Sequence, residues 1–271
     1  MTSWDAWIGK TQSQDDVMSP ALQKRFRATI DSGDAGQGIH WCLCLPDAVT
    51  ADLDSDGHPK RGGFLPPIPL PRRMWASSAV TFHAPLHVGA AITRQSTVAN
   101  VTERNGASGA LIFVDIDHET TANGVVAVSE RQTLVYREAP TGAAVTPSTD
   151  IKIEQSDWQL RRIIQPTEAL LFRYSALTFN SHRIHYDHPY ATQIEGYAGL
   201  VVHGPLLATL LLDLATRTFG ADALKTFAFR GQAPAIVGAP LHLVGKSDGD
   251  NVTLAVLSPS GRTFMSASAT L

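Results

Sequence analysis

The sequence predicts an α+β protein built from two similar units, each a curved antiparallel sheet wrapped around a helix. Three observations predict it. Segments 79–83, 91–104, 109–120 and 124–136 are rich in Val, Ile, Thr and Phe and are divided by turn residues, among them Asn105-Gly106 and Asn123-Gly124. Asn-Gly between two such runs is the strongest short-range hairpin signal. Residues 205–219 carry leucines at 206, 207, 210, 211, 212 and 214, which cover most of a helix's circumference and so describe an enclosed helix. Finally, Ala84-Pro-Leu-His-Val-Gly89 recurs as Ala233-Pro-Ala-Ile-Val-Gly238, and each copy precedes a hairpin with a Gly-x-x-x-x-Ser element, at 124–129 and 261–266. Their common order and similar offset argue for two copies of one unit.

Taken in order, Ser19-Pro20 opens a helix that runs to Ile30, with Gly33 after its end. Residues 39–45 are apolar between Gly38 and Pro46, which predicts a buried strand carrying Cys42 and Cys44 on one face. Two cysteines are too few for a structural zinc site and read as small apolar residues, in keeping with a reducing cytosolic compartment. Residues 50–73 hold Asp-Ser-Asp-Gly, Arg-Gly-Gly and four prolines within 66–71, so no regular element fits. A loop of that length belongs over a site or an interface, as a lid or rim. The stretch 139–150 has the composition of a linker and divides an N-terminal unit, 1–138, from a C-terminal one, 151–271. After it come a strand over 158–164, a short helix over 167–177, the helix over 205–219 stopped by Gly220, and a second meander from 225 to 271.

The 271 residues, 44% hydrophobic and 17% charged, describe a soluble globular protein with a substantial core. A net charge of −3 leaves no electrostatic footprint for nucleic acid or anionic lipid, so phosphate groups on a ligand would need local basic residues. The start lacks the pattern of a signal peptide. The longest apolar stretch, 206–215, is interrupted by Asp213 and is too short to span a bilayer, so no membrane association is expected.

The chemistry concentrates between Phe172 and Leu206. Asn180, His182, His185, Tyr186, Asp187 and His188 form a short polar island, followed by His203-Gly204-Pro205 at the head of the leucine-rich helix. His185 is the candidate base, because imidazole takes and gives a proton near neutrality. Gly204, before a Pro suited to the first helical turn, presents its backbone N–H at the positive helix end, a donor for an oxygen that becomes negative during reaction. His182, His185 and His188 recur every three residues and would share a helical face, but Ile184, Tyr186 and Pro189 favour a loop or strand, and no metal is expected.

This segment resembles the hydratase motif of MaoC-type enoyl-CoA hydratases, Gly-Asp-x-Asn-Pro-(Leu/Ile)-His followed by a His-Gly-x-Leu helix start. Asn180 stands at the Asp position, His182 at the Asn, Arg183 at the Pro and His185 at the catalytic His, and residues 203–206 fill the second motif. The variant over 174–186, with 63–75 and 82–89, is similar to a narrower group, the hydroxyacyl-thioester dehydratase type 2 and mesaconyl-C4-CoA hydratase family, with itaconyl-CoA hydratases close by. The resemblance implies a double hot-dog fold and a cofactor-free hydro-lyase acting on an acyl-CoA, here a branched dicarboxylyl-CoA, in a cytoplasmic homodimer. It implies one site per chain, in the second unit, with the first unit shaping the acyl or CoA tunnel.

In that reading the Gly204 N–H polarises the thioester carbonyl, His185 moves the proton, and Asn180 positions water, since an amide cannot act as a base. Asp187 is a carboxylate near enough to assist. Tyr174, Tyr186, His203 and Arg183 are the substrate-side candidates. Arg183 would hold a free carboxylate, with Arg72, Arg73 and Arg230 as rivals. Two other readings compete: a hot-dog thioesterase, and a non-catalytic acyl-CoA-binding subunit that has lost the motif Asp. Asn180 favours the second of these, whereas His185 and the Gly204 helix start oppose it.

Overall fold

The computed structural model describes residues 4–34, 36–106, 109–138 and 158–271. The expected linker at 139–150 lies outside them. Ten strands form one antiparallel sheet: β1 (Thr11–Val17), β2 (Arg72–Phe82), β3 (Ala91–Gly106), β4 (Gly109–Ala122), β5 (Val125–Arg137), β6 (Leu160–Ile164), β7 (Thr226–Gly231), β8 (Leu241–Asp248), β9 (Asn251–Leu257) and β10 (Thr263–Thr270). Among the described residues three α-helices accompany them: α1 (Pro20–Ile30), α2 (Glu168–Thr178) and α3 (Gly204–Phe219).

The strand order is β1-β3-β4-β5-β2-β7-β10-β9-β8-β6. Read outward from the β2·β7 pair, each half follows one sequence: second strand, fifth, fourth, third, first. The repeat seen in the sequence is therefore a structural repeat, and the fold is a double hot dog. Gly89 and Gly238, the last residues of the two repeated hexapeptides, both have φ +91°, a left-handed turn that favours glycine before β3 and β8. Asn123 and Gly124 both have positive φ, as a two-residue hairpin between β4 and β5 requires. The halves are joined where β2 pairs with β7, from Ser77 opposite Arg230 to Thr81 opposite Thr226.

Helix α3 is the centre of the core. Its leucines at 206, 207, 210, 211, 212 and 214 are all buried, as an all-round apolar pattern demands. Asp213 shares that interior because two cations meet it, Arg162 of β6 and Arg217 one turn on, the latter at 2.7 Å. Burying an unpaired carboxylate would cost several kcal/mol. α1 is capped by Ser19, whose Oγ accepts from Leu22 N at 3.1 Å, and packs on α2.

Two elements differ from the sequence expectation. Residues 39–42 form a 3₁₀ turn instead of a strand, entered through Gly38 at φ +101°. The turn lets the Trp41 indole donate to the buried Glu130 carboxylate at 3.0 Å, a tertiary bond that outweighs the local β pattern. Cys42 and Cys44 are buried as expected but share no strand face, and burial pushes the Cys42 thiol up to about 12. Strand β1 has no counterpart among the strands expected from the sequence. Its residues, Thr-Gln-Ser-Gln-Asp-Asp-Val, are polar because it is an edge strand whose side chains stay exposed or half-buried.

Candidate active site

Helix α2 ends at Phe179, which adopts the left-handed conformation with φ 48°. Asn180 follows and folds the chain back, its Oδ1 accepting from His182 N at 2.9 Å. The resulting 3₁₀ turn, Arg183–His185, buries Ile184 and His185 and leaves Tyr186 half exposed.

The His185 ring is fixed by its Nδ1, 2.7 Å from the Val201 carbonyl oxygen. A carbonyl can only accept, so Nδ1 carries the proton and Nε2 is left as the basic atom. Burial lowers the His185 pKa to about 4, although the Val201 bond opposes it, so the ring is neutral at pH 7. Beneath it lies His203, stacked with ring centroids 3.6 Å apart and planes 18° from parallel. His203 is fully buried and its Nε2 is 2.8 Å from Ser175 Oγ on α2. Gly204 is bonded to that histidine and begins α3, where a helix has no internal acceptor for its first N–H groups and the dipole is positive. The candidate base and the candidate oxyanion donor are therefore both set by one short segment, 200–204, that runs beside the His185 turn; Val201 N donates to Ile184 O at 3.0 Å.

The long loop of the first half closes over this turn. Its tip holds itself with Asp54 N donating to His58 O at 2.7 Å and Gly57 N to Asp54 O at 2.9 Å. The segment after Asn180 grips it: Arg183 N donates to Asp56 O at 2.9 Å, Arg183 Nη1 to Ser55 O at 3.0 Å, and Ser181 Oγ to Gly57 O at 2.5 Å. The approach is so close that a Cβ on Gly57 would lie 1.9 Å from the Ser181 carbonyl oxygen. Asp56 and His58 are thereby placed against His182, whose ring centroid is 4.1 Å from that of His58 and 5.4 Å from that of His185. Asp56, His58 and His182 bring their ligand atoms within 4.8 Å of one another, the geometry in which a cation would be held.

All of this borders a cavity of about 1640 Å³ lined from both halves, ample for an extended ligand. His58, Asn180, His182, His185 and Gly204 line it together with Arg73 and Trp75 of β2 and Arg230 of β7. Phe172, Phe179 and Tyr186 supply exposed apolar surface along it.

The candidate residues thus divide. His185, Asn180, Gly204 and Tyr186 reach the cavity. Tyr174 and His203, expected at the substrate, are fully buried beneath it, Tyr174 with its hydroxyl 3.1 Å from Thr209 Oγ1, so a ligand does not touch them. Arg183 is not free for a substrate carboxylate: its guanidinium pairs with Asp187 at 2.8 Å and covers the Tyr190 ring. That pair also takes Asp187 away from the proton chemistry. Arg72 is engaged with Glu195 at 2.7 Å, whereas among the described residues no ion pair involves Arg73. His188 is exposed. Asp56 and His58 are site residues that sequence reasoning misses. The only signal for them is the irregular length of 50–73, because their neighbours in space are about 125 residues away in the chain.

A double hot dog with a neutral histidine and a helix N-terminus on one large cavity fits a class, the acyl-thioester hydro-lyases, and comparison with known proteins agrees. The family of hydroxyacyl-thioester dehydratases type 2 matches residues 38–237, and the chain belongs to it. It is 41% identical to the mesaconyl-C4-CoA hydratase of Chloroflexus aurantiacus, over 99% of this chain and 98% of that one. Among solved structures, HtdX of Mycobacterium tuberculosis superposes with a TM-score of 0.71 at 18% identity, covering 96% of this chain and 100% of that one. A further protein of that organism, described as having a double hotdog fold, superposes at 0.55 with 13% identity, covering 97% and 96%. No helix among the described residues is long and apolar enough to cross a membrane.

Proposed function

We propose that the chain adds water across the α,β double bond of a short, branched dicarboxylic acyl-CoA of the mesaconyl-C4 type, or removes it from the β-hydroxy product. The observation that carries this reading is the pairing of the His185 Nε2 lone pair with the α3 N-terminus at Gly204 in one cavity. Hydration builds negative charge on the thioester oxygen as water attacks Cβ. A backbone N–H at a helix N-terminus meets that charge without reorganising, and a neutral imidazole takes part in moving the water's proton. The substrate class is supported by the relative from Chloroflexus aurantiacus and by Arg73, a cavity cation with no carboxylate partner among the described residues. Acid–base groups suffice for this chemistry, and CoA enters as part of the substrate.

The test is a coupled absorbance and mass assay of the purified chain with mesaconyl-C4-CoA, itaconyl-CoA and crotonyl-CoA. Loss of the enoyl-thioester absorbance with a mass gain of one water and the thioester intact is the expected result. Release of free CoA would replace this reading with a thioesterase. Binding without turnover would make the chain a non-catalytic subunit.

A further inference from the structure

The hydratase motif that residues 179–185 resemble has Asp at its second position, where this chain has Asn180. Asn180 cannot take a proton near neutrality, and its Oδ1 is already used by His182 N–H. The neighbouring carboxylate, Asp187, is held in the ion pair with Arg183. Water activation would then fall to His185 alone, a ring whose other nitrogen rests on an uncharged carbonyl that does little to stabilise an imidazolium.

The loop of the first half supplies what is missing. Asp56 accepts twice from residue 58, Oδ1 from the backbone N–H at 2.8 Å and Oδ2 from the ring Nδ1 at 2.9 Å. The second bond fixes the tautomer: Nδ1 carries the proton and Nε2 is the free basic atom. An ionised carboxylate behind an imidazole orients the ring and steadies the imidazolium that forms when it takes a proton. The rings of His58, His182 and His185 follow one another along the cavity wall. The loop tip is held in this place by three hydrogen bonds and by the glycine contact.

Building on the hydratase reading, we infer that His58, oriented by Asp56, is a second acid–base residue of the site and does the work of the motif carboxylate that Asn180 cannot do. In hydration the water oxygen bonds to Cβ while its O–H bond breaks and the proton goes to His58 Nε2. The π electrons of the double bond move toward the thioester oxygen, and the Gly204 N–H donates a hydrogen bond to the negative charge that forms there. The proton then leaves His58 for Cα as the thioester carbonyl re-forms, so the proton taken from water ends on carbon and nothing else is consumed. His185 Nε2 holds the second hydrogen of the water during attack. Dehydration runs the same steps in reverse. His58 is the catalytic residue in this assignment and Asp56 a positioning residue.

The experiment uses the full chain with mesaconyl-C4-CoA, comparing wild type with His58→Gln, His58→Gly and Asp56→Asn at matched melting temperature. His58→Gln is expected to lower kcat by about two to four orders of magnitude with KM changed only a few-fold. Asp56→Asn is expected to lower kcat in the same sense, and added imidazole to restore turnover to His58→Gly. Wild-type turnover together with full turnover in His58→Gln overturns the assignment and leaves the hydratase reading standing. Absence of wild-type turnover overturns both. A defect confined to KM reduces His58 to a binding residue and overturns its proton role. Loss of wild-type activity on dialysis against EDTA, restored by zinc, overturns the proton role in favour of a metal.

Discussion

His185 shows how the function of one side chain is set by its two ring nitrogens. Nδ1 is committed to Val201 O, so only Nε2 can act, and burial keeps the ring neutral at physiological pH. Replacing His185 by Ala is expected to lower turnover about two to four orders of magnitude, read in the hydration assay, and an unchanged rate removes it from the mechanism. Arg73 is the residue proposed above to hold the substrate carboxylate. It lies beside His58 and His182, whose protonation its charge disfavours, and among the described residues no carboxylate pairs with it. Substituting Met for Arg73 is expected to reduce kcat/KM for mesaconyl-C4-CoA relative to crotonyl-CoA by roughly ten- to a hundredfold, the scale of a lost charge-assisted bidentate contact. Equal losses on both substrates would return the carboxylate to another cation, with Arg230 next in line. The sequence alone favours Arg183, because it sits inside the motif. Its i,i+4 ion pair with Asp187 is visible only once the turn at 183–187 is.

Among the elements, the loop between the 3₁₀ turn at 50–52 and β2 behaves unlike an ordinary surface connection. Its tip is pressed onto the Ser181 backbone, and Gly57 is there because φ +90° and the 1.9 Å approach exclude any side chain. Gly57→Ala is expected to lift the tip, abolish most turnover and lower the melting temperature only slightly, since few apolar groups depend on the tip. Activity and a thermal melt measured on one preparation check both halves of that statement. The loop also marks the limit of what can be read in advance. Helix α3 and the meanders β3–β5 and β8–β10 are legible because periodicity, the Asn123-Gly124 turn and a repeated hexapeptide are local signals, although Asn105-Gly106, expected as a turn, lies within β3 and pairs with Ala110 and Gly109. β1 carries no such signal, its pattern being that of a polar edge. The turn at 39–42 misleads, because the bond from Trp41 to Glu130 links residues 89 apart. The same holds for the site. The half of it in residues 180–204 follows a motif, whereas Asp56 and His58 arrive by long-range packing that no local pattern encodes.

Across the whole molecule, the site concentrates buried neutral imidazoles, and this has a consequence for stability. His58, His182, His185 and His203 all have lowered pKa values, first because burial penalises the charged ring and then because neighbouring cations and imidazoles do. In His185 the value falls from 6.5 to about 4. The folded state therefore binds fewer protons than the unfolded chain below pH 6.5, and stability must fall as the pH drops from there toward 4. For His185 alone the loss amounts to about 3 kcal/mol, since each tenfold weakening of proton affinity on folding is worth about 1.4 kcal/mol. Glu130 moves in a different window. Burial would raise its pKa, but contacts with His40, His118 and Ser78 hold it at about 2, so its contribution is full above its ordinary 4.5 and fades only below. Urea unfolding followed at several pH values separates the two, with a steep loss of stability expected between about pH 6.5 and 4.5, before carboxylates titrate. His185→Gln, which cannot take up that proton in either state, is expected to flatten the curve in that window. A wild-type curve level down to pH 4.5 would show that these histidines charge freely in the folded chain, and the lowering of the His185 pKa by burial would have to be given up.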